Sequence, residues 1–491
     1  MDETQPLLQD AHLIYVERED DTSNKDIVDF DPDGDVENPL EWPRPYKWGI
    51  VALLASMAFT VTFTCIAVVP VATRIVDDLD DGQPSESASV LLVTIWELGE
   101  AAGPLLMAPL SEVFGRYPVM NVANTLFILA TTLAALSQST TLFISARALT
   151  GLAVACNVLN PAIIGDIFVS EERGSAMSLI QLAPLIGGAI GPSISGAIAE
   201  TMGWRKAMWM SVILATACEV AFLTCFRETY KVPILRRKAA RLRRETGNPA
   251  LRTVFDMDDG SNSGKIWGAI VRPFTVLAGS GVLQALSLFG AIIFTYFYIL
   301  ATTLPEILES SYDFSPAAAG LAMICFSIGS AISVVVCDLT MDRIYVKLRD
   351  SHKGAGQPEY RLPLVIIGGF IMPFITAWYG WAAQTNASVF VLLFSVGAIG
   401  VALMLGFLPL YAYVVDAFGL YAASAMTAVI VSRCLAGTFL PLAVGSLVSE
   451  FGYGIGLSVF AGASLFLAPI PVLVLRYGKI WRQKSKYSRD Q

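Results

Sequence analysis

Two glutamates three residues apart, Glu97 and Glu100, stand in the middle of a long apolar stretch. On a helix, that spacing places them on one face. Burial disfavours the charged form of a carboxylate, so an acid held there can take up and release a proton near neutrality. Glu219 sits at similar depth in another apolar stretch and is a third proton-coupling candidate. Each could instead stay protonated and hydrogen-bonded. Arg147 and Arg433 are the cations at comparable depth. A guanidinium inside a bilayer costs at least about 2.5–3.5 kcal/mol on insertion scales, so both need a partner or an aqueous cavity. Arg147 is a candidate to tune a nearby acid, since an adjacent cation favours the charged carboxylate; the alternative is a structural arginine bonded to backbone carbonyls. A second kind of chemistry lies in the turn at 103–118, where Glu112 and Arg116 could make and break an ion pair as a gate. As a merely solvated pair they would contribute only about 0–1 kcal/mol.

Other chemistries are poorly supplied. The chain has two histidines, His12 and His352, both in polar segments. A histidine metal site and a Ser-His-Asp triad inside the apolar body are therefore close to excluded, and no enzymatic site is expected. The seven cysteines lie in or beside apolar stretches without zinc-type spacing, which suits small apolar residues in helix packing. Trp96, Phe289, Tyr296 and Tyr298 could line a cavity for a bulky apolar molecule, or serve as core and lipid contacts.

The elements that must position these residues are membrane spans. Of 491 residues, 54% are hydrophobic and 15% charged, against about 25% charged in soluble domains. Mean hydropathy is +0.59. Twelve stretches approach the about 20 apolar residues a span needs: 48–69, 88–107, 118–136, 142–164, 175–199, 207–226, 274–300, 316–337, 362–380, 389–409, 421–447 and 454–475. The separation of the tenth from the eleventh is the least distinct. The fold class expected is an all-α membrane protein of twelve transmembrane helices in two six-helix halves.

The formal charge of −9 belongs to one end of the chain. Residues 1–41 hold 14 of 42 acids and 2 of 33 bases, leaving a formal +3 for the remainder. With both termini cytoplasmic, 28 bases fall on the cytoplasmic side and three on the other, Arg74, Arg205 and Lys206, so the positive-inside rule fixes this multi-pass orientation. The division expected is an acidic, disordered cytoplasmic tail (1–47), an N-terminal half (48–226), a basic cytoplasmic linker (227–272), a C-terminal half (273–475) and a basic cytoplasmic C-terminus (476–491). No cleavable signal peptide is visible. Arg236, Arg237, Lys238, Arg241, Arg243 and Arg244 in the linker follow helical spacing around Leu235 and Leu242 and suit anionic lipid headgroups. Nucleic-acid binding is not expected, because that patch sits against a membrane and lacks interleaved aromatics. Asn386-Ala387-Ser388 is a glycosylation sequon, and Glu3-Thr4-Gln5-Pro6-Leu7-Leu8 fits an acidic dileucine sorting pattern.

Gly103-Pro104-Leu105, Pro109-Leu110-Ser111-Glu112 and Gly115-Arg116-Tyr117-Pro118 resemble the G-P-L-x-x-x-P-L-S-E-x-x-G-R-R-P loop of the major facilitator superfamily, in its fungal twelve-span drug:proton antiporter group. Tyr117 stands where a second basic residue is usual. Asn38-Pro39-Leu40-Glu41-Trp42-Pro43, Arg147 to Gly151, Arg173-Gly174, Pro184 to Gly196, Trp204-Arg205-Lys206, Glu228-Thr229-Tyr230, Tyr413 to Asp416, Ala423 to Ala425, Arg433 and Pro441-Leu442 resemble further motifs of the group, so the resemblance covers nearly the whole chain beyond the tail.

The resemblance implies proton-coupled efflux of a small organic molecule (a drug, toxin or secondary metabolite) by alternating access. The alternative is a facilitator or proton symporter importing a nutrient or polyamine. It implies no cofactor beyond a proton gradient, a monomer, and residence in the plasma membrane or alternatively the vacuolar membrane. It also implies a cytoplasmic gate of Glu112, Gly115, Arg116, Asp166 and Arg173. Gly187, Gly191, Pro192 and Gly196 would form the antiporter-motif helix face, and Asp416 and Arg433 would be functional positions in the C-terminal half.

Overall fold

A computed structural model describes residues 27–31, 34–80, 86–154, 156–169, 172–256, 262–351 and 356–488. His12, His352, the dileucine pattern and most of the acidic tail lie outside them. The chain folds into helices α1 (Arg44–Ile66), α2 (Ala72–Leu79), α3 (Glu86–Phe114), α4 (Arg116–Ala135), α5 (Thr140–Leu152), α6 (Cys156–Ile167), α7 (Arg173–Met202) and α8 (Trp204–Cys225). After the linker helix α9 (Lys231–Thr246) come α10 (Asn262–Ala278), α11 (Gly281–Tyr312), α12 (Pro316–Ser351), α13 (Pro363–Gln384), α14 (Val389–Phe418), α15 (Ala422–Leu465) and α16 (Ile470–Lys484).

Ten continuous helical stretches among the described residues are long and apolar enough to cross a membrane. Two further crossings arise from breaks. The fourth is built from α5 and α6, each too short alone, joined at Ala153 and Val154. The eleventh and twelfth run together as one stretch, Ala422–Lys484, that reverses at Gly452. There φ is 79° and ψ 168°, a conformation open to glycine and costly for residues with a Cβ. The tenth and eleventh crossings, expected to be hard to separate, part cleanly at Gly419–Tyr421.

Two of the closest helix pairings join the halves, α7 on α12 and α3 on α15. Neighbours α4 and α8 pack together at the periphery of the N-terminal half. They leave Val122, Leu126, Leu129, Ile213, Val220 and Leu223 exposed, an apolar outer face suited to lipid.

Part of the segment expected to be a disordered tail is ordered. Val28 donates its N–H to Arg252 O at 2.8 Å, and Ile27 pairs with Arg252 as an isolated parallel bridge. Asp35 meets Lys238 at 2.6 Å and Glu37 meets Arg241 at 2.7 Å. The basic linker helix thus carries acidic chain on one side while Val232, Leu235 and Ala239 are buried on the other.

Candidate functional site

The candidate site lies where α3 meets α11 and α15. Glu97 and Glu100 are both buried on α3, as their spacing implies. Each is held from the other half. The Tyr298 hydroxyl on α11 donates to Glu97 Oε1 at 2.7 Å. Arg433 on α15 donates from Nη2 to Glu100 Oε1 at 3.3 Å and from Nη1 to the Tyr411 hydroxyl at 3.1 Å. Its guanidinium also lies 4.4 Å from the Phe294 ring centroid. Trp96 Nε1 donates to Glu100 Oε2 at 3.3 Å, while Glu97 Oε2 is buried without a hydrogen-bond partner. Thr94, a turn earlier on α3, donates to Thr438 O on α15 at 3.0 Å.

The expectation that Arg147 tunes an acid is replaced by its structural alternative. The Arg147 guanidinium donates to the backbone carbonyls of Leu92 (3.4 Å), Thr64 (3.3 Å) and Cys65 (2.8 Å). It stacks on Trp96 at 4.9 Å. Those carbonyls belong to α1 and α3, so Arg147 fastens three crossings together, and the cation beside the acids is Arg433. Glu219 stands apart. It accepts from Asn124 Nδ2 at 2.7 Å, between α8 and α4 on the periphery of the N-terminal half.

The expected aromatic lining divides. Trp96 and Tyr298 touch the acids. Phe289 and Tyr296 face into the C-terminal half, where Tyr296 and Ser464 share a hydroxyl hydrogen bond.

On the side of the chain ends, Arg116 opens α4. Its Nε meets Asp166 Oδ2 at 3.3 Å, Nη1 donates to Ser111 Oγ, and its guanidinium lies 4.6 Å from the Tyr230 ring. Glu112, expected to pair with Arg116, is exposed and makes no hydrogen bond or ion pair among the described residues. The reason is geometric: the chain turns back at Gly115, and the Arg116 guanidinium is taken up by Asp166 of α6 and by the Ser111 hydroxyl of α3. Glu228 supplies what Glu112 does not. Its carboxylate accepts from the N–H groups of Arg116 (2.8 Å), Tyr117 (3.2 Å) and Tyr230 (3.0 Å), satisfying donors that a helix start leaves open. Gly115 has φ 100°, and a Cβ there would overlap Glu228 Oε2. Arg173 bonds the carbonyls of Phe168 (2.9 Å) and Gly165 (2.8 Å), closing the end of α6. Tyr117 stacks on Phe226 at 6.1 Å instead of adding charge.

The C-terminal half repeats this arrangement around Asp416, with Arg361, Asp342, Glu359 and Arg482, which no sequence motif singled out. Arg361, just before α13, meets Asp416 Oδ2 at 3.0 Å and Asp342 Oδ1 at 2.5 Å. It mirrors Arg116 at the start of α4, with Asp416 at the end of the tenth crossing where Asp166 ends the fourth. Glu359 holds Arg482 of α16 at 2.9 Å, with both side chains buried. The sequence signal was the internal repeat itself: a base opening the third span of each half and an acid closing the fourth.

The antiporter-motif residues divide between two neighbours. Gly187 and Gly191 lie against Phe59 and Phe63 of α1. Gly196 faces the start of α12, where a Cβ would overlap the Pro316 carbonyl, and Gly320 faces the Pro192 carbonyl in return. These close approaches join the halves on the side away from the chain ends. Asn386 is exposed with φ 48° in the turn between α13 and α14. No group of three or more potential metal ligands occurs among the described residues.

The profile of the Major Facilitator Superfamily matches residues 49–441. The chain belongs to this superfamily. The efflux pump radE of Floropilus chiversii is 34% identical over 479 residues, 97% of this chain and 88% of that protein. The MFS transporter cpaT of Aspergillus oryzae is 33% identical over 462 residues, 94% of this chain and 92% of that protein. Among solved structures, the partially occluded, inward-open xylose transporter XylE of E. coli superposes with a TM-score of 0.64 at 18% identity, covering 88% of this chain and 98% of that one. A D-xylose–proton symporter gives 0.66 at 19% identity, covering 87% and 97%. These two likenesses show the shared fold. This major facilitator protein is therefore a multi-pass secondary transporter whose two halves carry α3, α11 and α15 at their interface, where superfamily members bind substrate.

Proposed function

We propose that this transporter exports a small organic molecule (a drug, toxin or secondary metabolite) from the cytoplasm in exchange for protons. The carrying observation is the ion pair between Glu100 and Arg433, which joins the two halves beside Glu97. An ionised Glu100 holds Arg433 and with it the opposite half. Opening this pair frees Arg433 to meet substrate while the halves rock. Glu97 beside it, with one oxygen on Tyr298 and the other without a hydrogen-bond partner, is the candidate proton site. The aromatic cluster of Phe294, Phe297, Phe407 and Tyr411 beside Arg433 offers apolar and π surface to a bulky substrate. The name of radE supports the outward direction.

In this reading both chain ends lie in the cytoplasm, supported by the excess of bases on that side, and the protein works as a monomer in the plasma membrane. The Arg116–Asp166 and Arg361–Asp416 pairs then latch the cytoplasmic ends of the two halves. Inside-out vesicles from an expressing yeast strain test the proposal, with rhodamine 6G and a panel of fungal polyketides as probes. An acid interior should drive accumulation that a protonophore abolishes. Probe movement that equilibrates without regard to the pH gradient, or that runs out of acid vesicles, would favour a facilitator or an importer and refute the exchange.

A further inference from the structure

A cavity of about 580 Å³ opens on the side of the chain ends, outside the interface between the halves. Its floor is the stacked pair Tyr117 and Phe226, at the start of α4 and just beyond α8. Its wall is the linker helix α9, which contributes Arg237, Lys238 and Arg241, and Arg227 completes the basic lining. Two acids are also present. Glu37 reaches in from the ordered tail and neutralises Arg241, and Glu228 is committed to three backbone N–H groups of the neighbouring turns. Lys238 is matched by Asp35. Arg227 and Arg237 are exposed and have no carboxylate partner among the described residues; Arg227 rests 5.5 Å from the Tyr46 ring.

The location decides what an anion here would be attached to. The cavity sits at the ends of α4 and α8, the peripheral pair whose outer face exposes Val122, Leu126, Leu129, Val220 and Leu223. An acyl chain lying along that face brings its headgroup to the cavity mouth, at the depth where basic residues meet anionic lipid. We propose that this cavity binds the phosphorylated headgroup of an anionic phospholipid from the leaflet on the side of the chain ends, with Arg227 and Arg237 as its primary contacts and Glu37 competing for Arg241.

The full-length protein in dodecylmaltoside, titrated with phosphatidylinositol 4-phosphate and followed by native mass spectrometry, tests this. Arg227→Ala/Arg237→Ala should weaken retention by roughly 30-fold, the loss of two basic contacts at an anionic headgroup. Arg243→Ala/Arg244→Ala removes the same charge from α9 outside the cavity and should leave retention within about twofold. Glu37→Gln should tighten it. Equal loss in both double variants would reduce the effect to diffuse attraction and overturn the site, as would no loss in either. Equal binding of soluble inositol 1,4-bisphosphate would show that the site takes a free phosphate and not a lipid.

Discussion

Arg433 Nη2 lies 3.3 Å from Glu100 Oε1, and the two residues come from opposite halves of the transporter. The pair is mostly buried, with 18% and 10% of the side chains exposed. Breaking a fully buried pair from one side typically costs about 3–5 kcal/mol, because the remaining charge is left uncompensated. Arg433→Met should therefore destabilise by about 1–3 kcal/mol here, where some exposure remains. Glu100→Gln/Arg433→Met should recover most of that loss in thermal unfolding while staying inactive in proton-driven transport. A double variant no more stable than Arg433→Met would show that the pair is not the interaction holding this point.

Arg147 separates structure from coupling. Since it bonds carbonyls of α1 and α3 and no carboxylate, Arg147→Gln should lower thermal stability of the N-terminal half along with transport. Glu97→Gln, by contrast, should abolish proton-driven transport with little change in the unfolding temperature. If Arg147→Gln is as stable as wild type and only uncouples, the carbonyl-anchoring role is wrong.

Gly115→Ala should be more damaging than its size suggests. The residue has a positive φ, and the added methyl would displace the Glu228 carboxylate that holds the start of α4. A non-glycine residue in such a conformation costs about 1–3 kcal/mol before any clash. Transport should fall with unchanged membrane insertion, and Glu228→Gln should fall with it. Glu112→Gln, at an exposed position that makes no hydrogen bond or salt bridge among the described residues, should cost less than either.

In the C-terminal latch, Asp416→Asn should outweigh Asp342→Asn. The Asp342 side chain is 76% exposed and that of Asp416 38%, so solvent already screens the former. An exposed pair contributes about 0–1 kcal/mol. Thermal unfolding of the two variants side by side would reverse the assignment if Asp342 proved the more costly.

The contact between tail and linker should respond to acid in one direction. Partial burial works against the Asp35 charge. The Lys238 ammonium and the N–H groups of Glu37 and Asp31 outweigh it and hold the carboxyl below the ordinary aspartate value of 3.8. A depressed acid contributes stability that is present above its unfolded value and lost as pH falls through its folded value. Crosslinking between cysteines placed in the tail near Asp35 and on α9 should thus be level from neutrality down to about pH 4 and decline below it. Asp35→Asn should be low throughout. A decline beginning near pH 6 would assign the contact to another group.

How legible this was in the sequence differed by level. The twelve crossings, their grouping into two halves and the superfamily followed from apolar runs of span length and from motifs repeated along the chain. These are local properties, carried by consecutive residues, because in a membrane each helix satisfies its own backbone hydrogen bonds. The shared face of Glu97 and Glu100 was legible for the same reason: helical period is local. The pairing of charges was not. Arg433 and Glu100 are 333 residues apart, Arg116 and Asp166 50, and Arg116 and Glu228 112. Nothing in the spacing distinguished Arg433 from Arg147 as the cation beside the acids. Tertiary packing made that choice by turning Arg147 onto the carbonyls of α1 and α3 and by bringing α15 against α3. It likewise bent the chain at Gly115 so that Arg116 left Glu112 for Asp166. A buried charge takes whichever partner lies within about 4 Å after the helices pack, and that distance is a property of the assembled halves rather than of either segment alone.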